Sequence, residues 1–218
     1  MSTDTPLETS WVRITTWLLA HAPATAAALH PPASAQDVAR AEESTGVVWP
    51  QQLRTWFGLH GGWDRDAWAA VLPGWSSPMS LSRSLEEQRT WLEVWEDVAA
   101  DDEDLVERGV LAMGQHAGEV AGAFLPFFVP LDEDQSGEVL FVDCRPGPRQ
   151  GCVTHWMKHD FDHYGLGWWS IAQMLSDVAD HLQQWTPCRY WRPQVEDGAL
   201  RWEFDEDADS DSHCLARG

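Results

Sequence analysis

A chain of 218 residues can bury about 70% of the surface its unfolded form exposes, so one sizeable core suffices and no second domain is required. It carries 35 acidic against 14 basic side chains, a net charge of −21 with histidine neutral, a field that repels nucleic acid and anionic lipid and favours a basic partner. No apolar run approaches the roughly 20 residues of a membrane span and no signal segment opens the chain, so a soluble cytoplasmic protein is expected.

Helices announce themselves by their caps. Thr5, Pro6 and Glu8 give a capping residue, a proline at the first helical position and an acid three residues after the cap, ahead of an apolar face of Trp11, Ile14 and Leu18. Ser34 and Asp37 repeat the signal for a helix that stops at Gly46. Pro50 starts another, with Leu53, Trp56, Phe57 and His60 at i, i+3, i+4 and i+7 and a stop at Gly61 and Gly62. The next stretch, GGWDRDAWAAVLPGW, reads as irregular with one short strand near Val71. Of the fifteen tryptophans, Trp63, Trp68 and Trp75 lie in this Gly- and Pro-punctuated segment and are the candidates for exposed binding anchors.

Ser84 and Glu87 precede a fourth helix carrying Leu85, Leu92, Trp95 and Val98, followed by an acidic linker. Between Glu93 and Glu107 stand eight carboxylates and no basic residue. Residues 125–156 then read as a three-stranded meander. A short strand at Phe127, Phe128 and Val129 lies between two prolines and belongs at an edge or bend. The uninterrupted run Val139, Leu140, Phe141, Val142 suits a strand buried on both faces. A third strand runs from about Cys152 to Trp156, and the turns DEDQSG and RPGPRQG have the residues that tight turns need. Ser170 and Gln173 cap a last helix, whose face is Ile171, Met174, Leu175, Val178, Leu182 and Trp185. After Pro193, GALRWEF adds one edge strand, and eight further carboxylates between Glu196 and Asp211 mark a flexible tail. Strands gathered together, with helices mostly before and after them, predict an α+β fold with an antiparallel or mixed sheet and about five helices. The expected organisation is one domain over 1–192, with the edge strand and acidic tail in 193–218.

The chemistry is sparse. Serine-hydrolase, P-loop, zincin and dinucleotide motifs do not occur. Cys144, Cys152, Cys188 and Cys214 form neither a CxxC pair nor a His/Cys spacing suited to zinc, and are expected to be reduced, although Cys144 and Cys152 flank one turn. His155, His159 and His163 recur every four residues, but the sequence around them reads as strand leaving into loop, which destroys the alignment a metal would need. Asp132, Glu133, Asp134, Glu138 and Asp143 read as solvated turn carboxylates rather than an acid/base pair, and Asp132, Glu133 and Asp134 form an acidic tip that a partner could meet. No enzyme, metal or cofactor is expected.

The segment ARAEESTGVVWPQQLRTWFGLHGG resembles the N-terminal signature of the SUKH superfamily, the fungal Smi/Knr cell-wall regulators and their bacterial relatives, with the motif positions at Glu42, Gly46, Pro50 and Gly61. Leu72, Pro73 and Gly74, and a helix beginning after Ser80 and Leu81, are similar to the family's next elements. Pro126 through Trp156 is similar to its third part, with Gly137, Asp143, Pro146, Gly147 and Gly151 in place. Likeness runs from about residue 8 to 190. Trp49 stands where the family has a leucine-like residue, and the acid near 100–107 and the tail fall outside the pattern. The resemblance implies an α+β domain without catalytic residues. It points to an immunity protein that binds and blocks a toxin, here a basic one, or else to a regulatory scaffold with another protein partner.

Overall fold

The computed structural model describes residues 6–63, 70–74, 77–133, 138–157 and 162–208, with the backbone alone at Glu133 and over 162–166. Trp68, Trp75, Asp134, Gly137, His159, Asp160, Cys214 and the expected flexible end of the tail lie outside these residues.

Helix α1 (Leu7–His21) begins one residue later than its sequence suggests, with Pro6 itself in the capping position and no side-chain cap. It leads into the short α2 (Pro23–Ala27). Ser34 caps α3 (Ala35–Thr45) by accepting the Asp37 N–H, and Gly46 closes it in the left-handed conformation. Pro50 precedes α4 (Gln51–Phe57), which stops at Gly58 and not at Gly61. The next two glycines answer to a different constraint. His30 and residues 61–62 exchange backbone hydrogen bonds of 3.0 Å, and a Cβ on Gly61 would fall 2.1 Å from the Pro31 carbonyl oxygen.

After β1 (Ser77–Pro78) comes α5 (Leu81–Ala99), capped by Ser80 as the family likeness implies and not by Ser84. The expected acidic linker is a helix, α6 (Glu103–Met113). Asp102 caps it by accepting the N–H groups of Asp104 and Leu105, and Glu103 and Asp104 sit in its first turn, where carboxylates favour a helix.

The sheet follows: β2 (Phe128–Pro130), β3 (Asp132–Glu133), β4 (Val139–Asp143), β5 (Cys152–Met157) and β6 (Asp162–Trp168). Four strands pair antiparallel in the order β2-β4-β5-β6, and β3 pairs instead with β1. The meander is as expected, with β2 at the edge and β4 central. The stretch with Gly165 and Gly167 is a fourth strand, not a loop. Gly167 permits it, because a Cβ there would meet the Val153 carbonyl at 2.6 Å where the β5–β6 register shifts. Helix α7 (Ile171–Gln184), capped by Ser170, completes the layers, and Trp185 ends it as a half-exposed left-handed cap rather than extending its buried face. GALRWEF is no edge of this sheet. It is β8 (Ala199–Phe204), paired with β7 (Trp191–Glu196) in a separate hairpin. That hairpin is tied down, since Leu200 and Trp202 are buried and the Leu200 N–H donates to Thr25 Oγ1 at 2.8 Å.

Alternation along the strands sorts the core into two clusters. Val129, Val142 and Val153 point to the side of α1, α4 and α7; Phe128, Phe141 and Trp156 point to the side of α5, Phe124 and Trp91. The sheet thus lies between two helical layers. The architecture is α+β, with an antiparallel sheet.

Candidate partner-binding surface

Two of the sequence-predicted anchors lie inside the protein. Trp63 is 8% exposed, its indole N–H donates to the Thr25 carbonyl at 2.9 Å, and its ring packs 5.9 Å from Trp11 and 5.5 Å from His60. Its irregular surroundings suggested exposure, but the chain reversal at Gly61 and Gly62 turns it inward against α1 and α2. His60 is the hub of this group, 4.2 Å edge-on from Trp56, and its Nδ1 accepts the Gly62 N–H at 3.0 Å. Burial pushes its pKa down to about 3, so it is neutral.

Asp132 is likewise 1% exposed, because β3 carries it into the structure opposite Pro78 and its Oδ1 accepts the Leu140 N–H at 2.6 Å. The acidic tip is therefore not built as expected: Asp132 is a structural acceptor, and Glu133 is a strand residue whose side chain lies outside the described atoms.

Asp143 is not a solvated turn carboxylate either. It and Arg145 are wholly buried, joined by Nη2 to Oδ2 at 2.7 Å and Nε to Oδ1 at 3.1 Å. Asp143 also accepts the Gly118 N–H at 2.8 Å, while Arg145 donates to the carbonyls of Ala112 and Glu119 and to Gln115. The bonds to Ala112, Gln115, Gly118 and Glu119 tie the end of β4 to α6 and to the connection that follows it. They hold the fold together and leave the Asp143 carboxylate fully engaged. Across the same hairpin Cys144 and Cys152 are buried free thiols, both pushed up by desolvation, Cys152 to about 12. Of the three spaced histidines, His155 lies on β5 with Nε2 3.4 Å from Glu138; among the described residues no cluster of metal-ligating side chains occurs.

Among the described residues, two grooves flank α3. On one flank a shallow groove of about 460 Å³ runs between Val38 and Ala39 of α3 and Gln51 and Thr55 of α4. Its polar pair is Glu42 and Arg54, bidentate at 2.6 and 2.7 Å, with Glu42 also accepting the Trp49 N–H at 2.9 Å. The Arg54 guanidinium holds the Glu42 carboxyl below its ordinary range and is itself raised in return. On the other flank a second groove, about 480 Å³, lies between α3 and the start of α5, lined by Arg40, Ser44, Leu81 and Leu85. Neither groove sets a nucleophile beside a base. Each is a shallow, mixed surface suited to contact.

Of the family-motif residues, Glu42 lines the first groove and Gly61 the second. A family model, that of the SMI1/KNR4 family (SUKH-1), matches residues 32–177, which is more than half of the chain. The chain belongs to this family. No curated protein matches it. In this SUKH-1 domain Glu42 fastens the α3–α4 turn through Trp49 and Arg54, Gly46 and Pro50 shape that turn, and Trp49 fills the motif site as a buried ring 5.7 Å from Phe57. Gly61 makes the close approach to Pro31, Pro73 lies in the bend after Leu72, and Gly147 and Gly151 take positive φ in the turn that follows Asp143. Sequence reasoning missed the partners Arg54 and Arg145: Arg54 stands twelve residues from Glu42 across a turn and gives no local signal, whereas Arg145 stands at the i, i+2 strand spacing from Asp143, which could have identified it. Elements α1, α2, β7 and β8 flank the matched region.

Proposed function

We propose that this chain is a non-catalytic binding protein, an immunity protein that captures a cognate basic toxin domain and blocks it by occlusion. Membership of the SMI1/KNR4 family carries the reading, and the net charge of −21 supports the sign of the partner. The mechanism needs no reaction. An acidic surface steers a basic domain into encounter, and close-packed contacts then slow its release. Steering weakens with salt because the Debye length is about 10 Å at 0.1 M. The family's name also supports a second reading, a regulatory scaffold of the cell-wall-regulator type with a different protein partner.

The test is co-expression with any candidate toxin that a neighbouring gene encodes, scoring growth and a co-purified complex. Rescue with a stable complex is expected. Unrelieved growth arrest with no complex would sink the immunity reading and favour the scaffold.

A further inference from the structure

Helix α6 has a solvent face that its role in the fold does not explain. It buries only Ala112, and Gly109 brings it against the Trp95 indole of α5, where a Cβ would lie 3.4 Å from Nε1. On its outer side Val106, Val110 and Met113 stand at i, i+4 and i+7, exposed by 50, 69 and 44%. Valine is a weak helix former, so two of them on a solvated stripe contribute little to local helicity. Glu103 and Glu107 precede Val106 and Val110 by three residues each and so border the apolar stripe. Helix α5 repeats the pattern in smaller form, with Val94 and Val98 partly exposed and Asp97 three residues from Val94. A contiguous apolar stripe on a protein this acidic marks an interaction surface.

We infer that the outer face of α6, Val106, Val110 and Met113 flanked by Glu103 and Glu107, docks a basic amphipathic segment of a protein partner. Charge complementarity selects the occupant. A second copy would bring the same set of carboxylates to the interface again, and nucleic acid or anionic lipid meets eight carboxylates between Glu93 and Glu107 with no basic residue among them. The chain's own end is acidic too, which leaves a segment with lysine or arginine on one side and aliphatic or aromatic anchors on the other. This deepens the proposed function by naming the surface used, and for the identity of the partner it rests on that reading.

Two probes separate the claims: a synthetic helical peptide with leucine on one face and lysine on the other, and the candidate toxin domain used in the co-expression test. The full chain is titrated with each, as wild type, as Val106→Ser/Val110→Ser, which keeps every charge, and as Glu103→Gln/Glu107→Gln. Both substituted faces are exposed, so folding is retained. The serine variant should bind about tenfold more weakly, and the glutamine variant should bind more weakly with a shallower salt dependence. Peptide binding within twofold of wild type for the serine variant would overturn the surface by showing charge attraction alone. Toxin binding unchanged in both variants would overturn it while leaving the immunity reading intact. Loss of peptide binding with no toxin bound would uphold the surface and remove the immunity reading. Sedimentation as a dimer that the serine variant abolishes would make the occupant a second copy and overturn the proposal.

Discussion

The two helical layers that flank the sheet are built on opposite terms. Helix α7 covers a sheet face, and its inward residues Ile171, Met174, Leu175, Val178 and Leu182 are apolar and fully buried. Helix α5 covers the same sheet near its β2 edge, and its inward line is Ser84, Gln88 and Trp91. Ser84 Oγ donates to the Pro130 carbonyl at 2.6 Å, and the Gln88 amide donates to the carbonyls of Pro126 and Phe128, both at 2.9 Å. An edge strand presents unpaired carbonyls, and a helix that buries it must bring donors. The Asp143–Arg145 pair belongs to this second side as well, with the Arg145 guanidinium 5.2 Å over the Phe128 ring. One side of the sheet is held by apolar area, and the other adds polar pairing at its β2 edge to an aromatic cluster.

That contrast can be broken by substitution. Asp143→Ala leaves Arg145 buried without its partner and should cost about 3–5 kcal/mol in urea unfolding. Leu175→Ala on the apolar side should cost about 2–5 kcal/mol through the cavity it opens, with no change in the pH dependence of stability. Gln88→Leu keeps the volume but deprives the buried Phe128 carbonyl and the part-buried Pro126 carbonyl of their donor, for an expected loss of about 1–3 kcal/mol. A neutral or stabilising result would show that the second side is apolar in effect, and the contrast would fail.

Two smaller effects depend on pH. His60 is held neutral in the fold with a pKa of about 3, while its unfolded form titrates near 6.5, so the unfolded chain takes up the proton first. The stability tied to His60 is complete above pH 6.5 and is lost as pH falls toward 3. His60→Phe should therefore flatten that limb when unfolding midpoints at pH 7 and pH 5 are compared. Glu42, lowered by Arg54, contributes stability that is present above the ordinary glutamate pKa and is lost below it, and Glu42→Gln should remove that more acidic portion alone. A pH profile unmoved by either substitution would separate these residues from acid sensitivity.

What the sequence made legible follows the same division. The apolar period of α7, the Ser34 cap and the buried run of β4 were readable because each is a local pattern that tertiary packing does not overturn. Helix α5 was misplaced by one turn and rotated, since apolar periodicity points away from a buried face made of Ser84 and Gln88. The acid around Asp101 to Asp104 looked like linker, although acid at a helix start is a capping signal, and Asp102 is that cap. For Trp63 and Asp132 the surrounding turn chemistry suggests exposure, and only the return of the chain to His30 and the pairing with Pro78 bury them. The candidate surface itself was half visible. Its acid was plain, but Val106, Val110 and Met113 become a stripe only once the segment is known to be a helix.

The central claim, capture of a basic partner without chemistry on it, is tested most directly by growth rescue measured together with complex formation against a candidate toxin from a neighbouring gene. The account predicts rescue at stoichiometric expression, with a stable complex whose association slows as salt is raised. Rescue by substoichiometric amounts of this chain, with no complex isolated, would contradict occlusion and require a catalytic role.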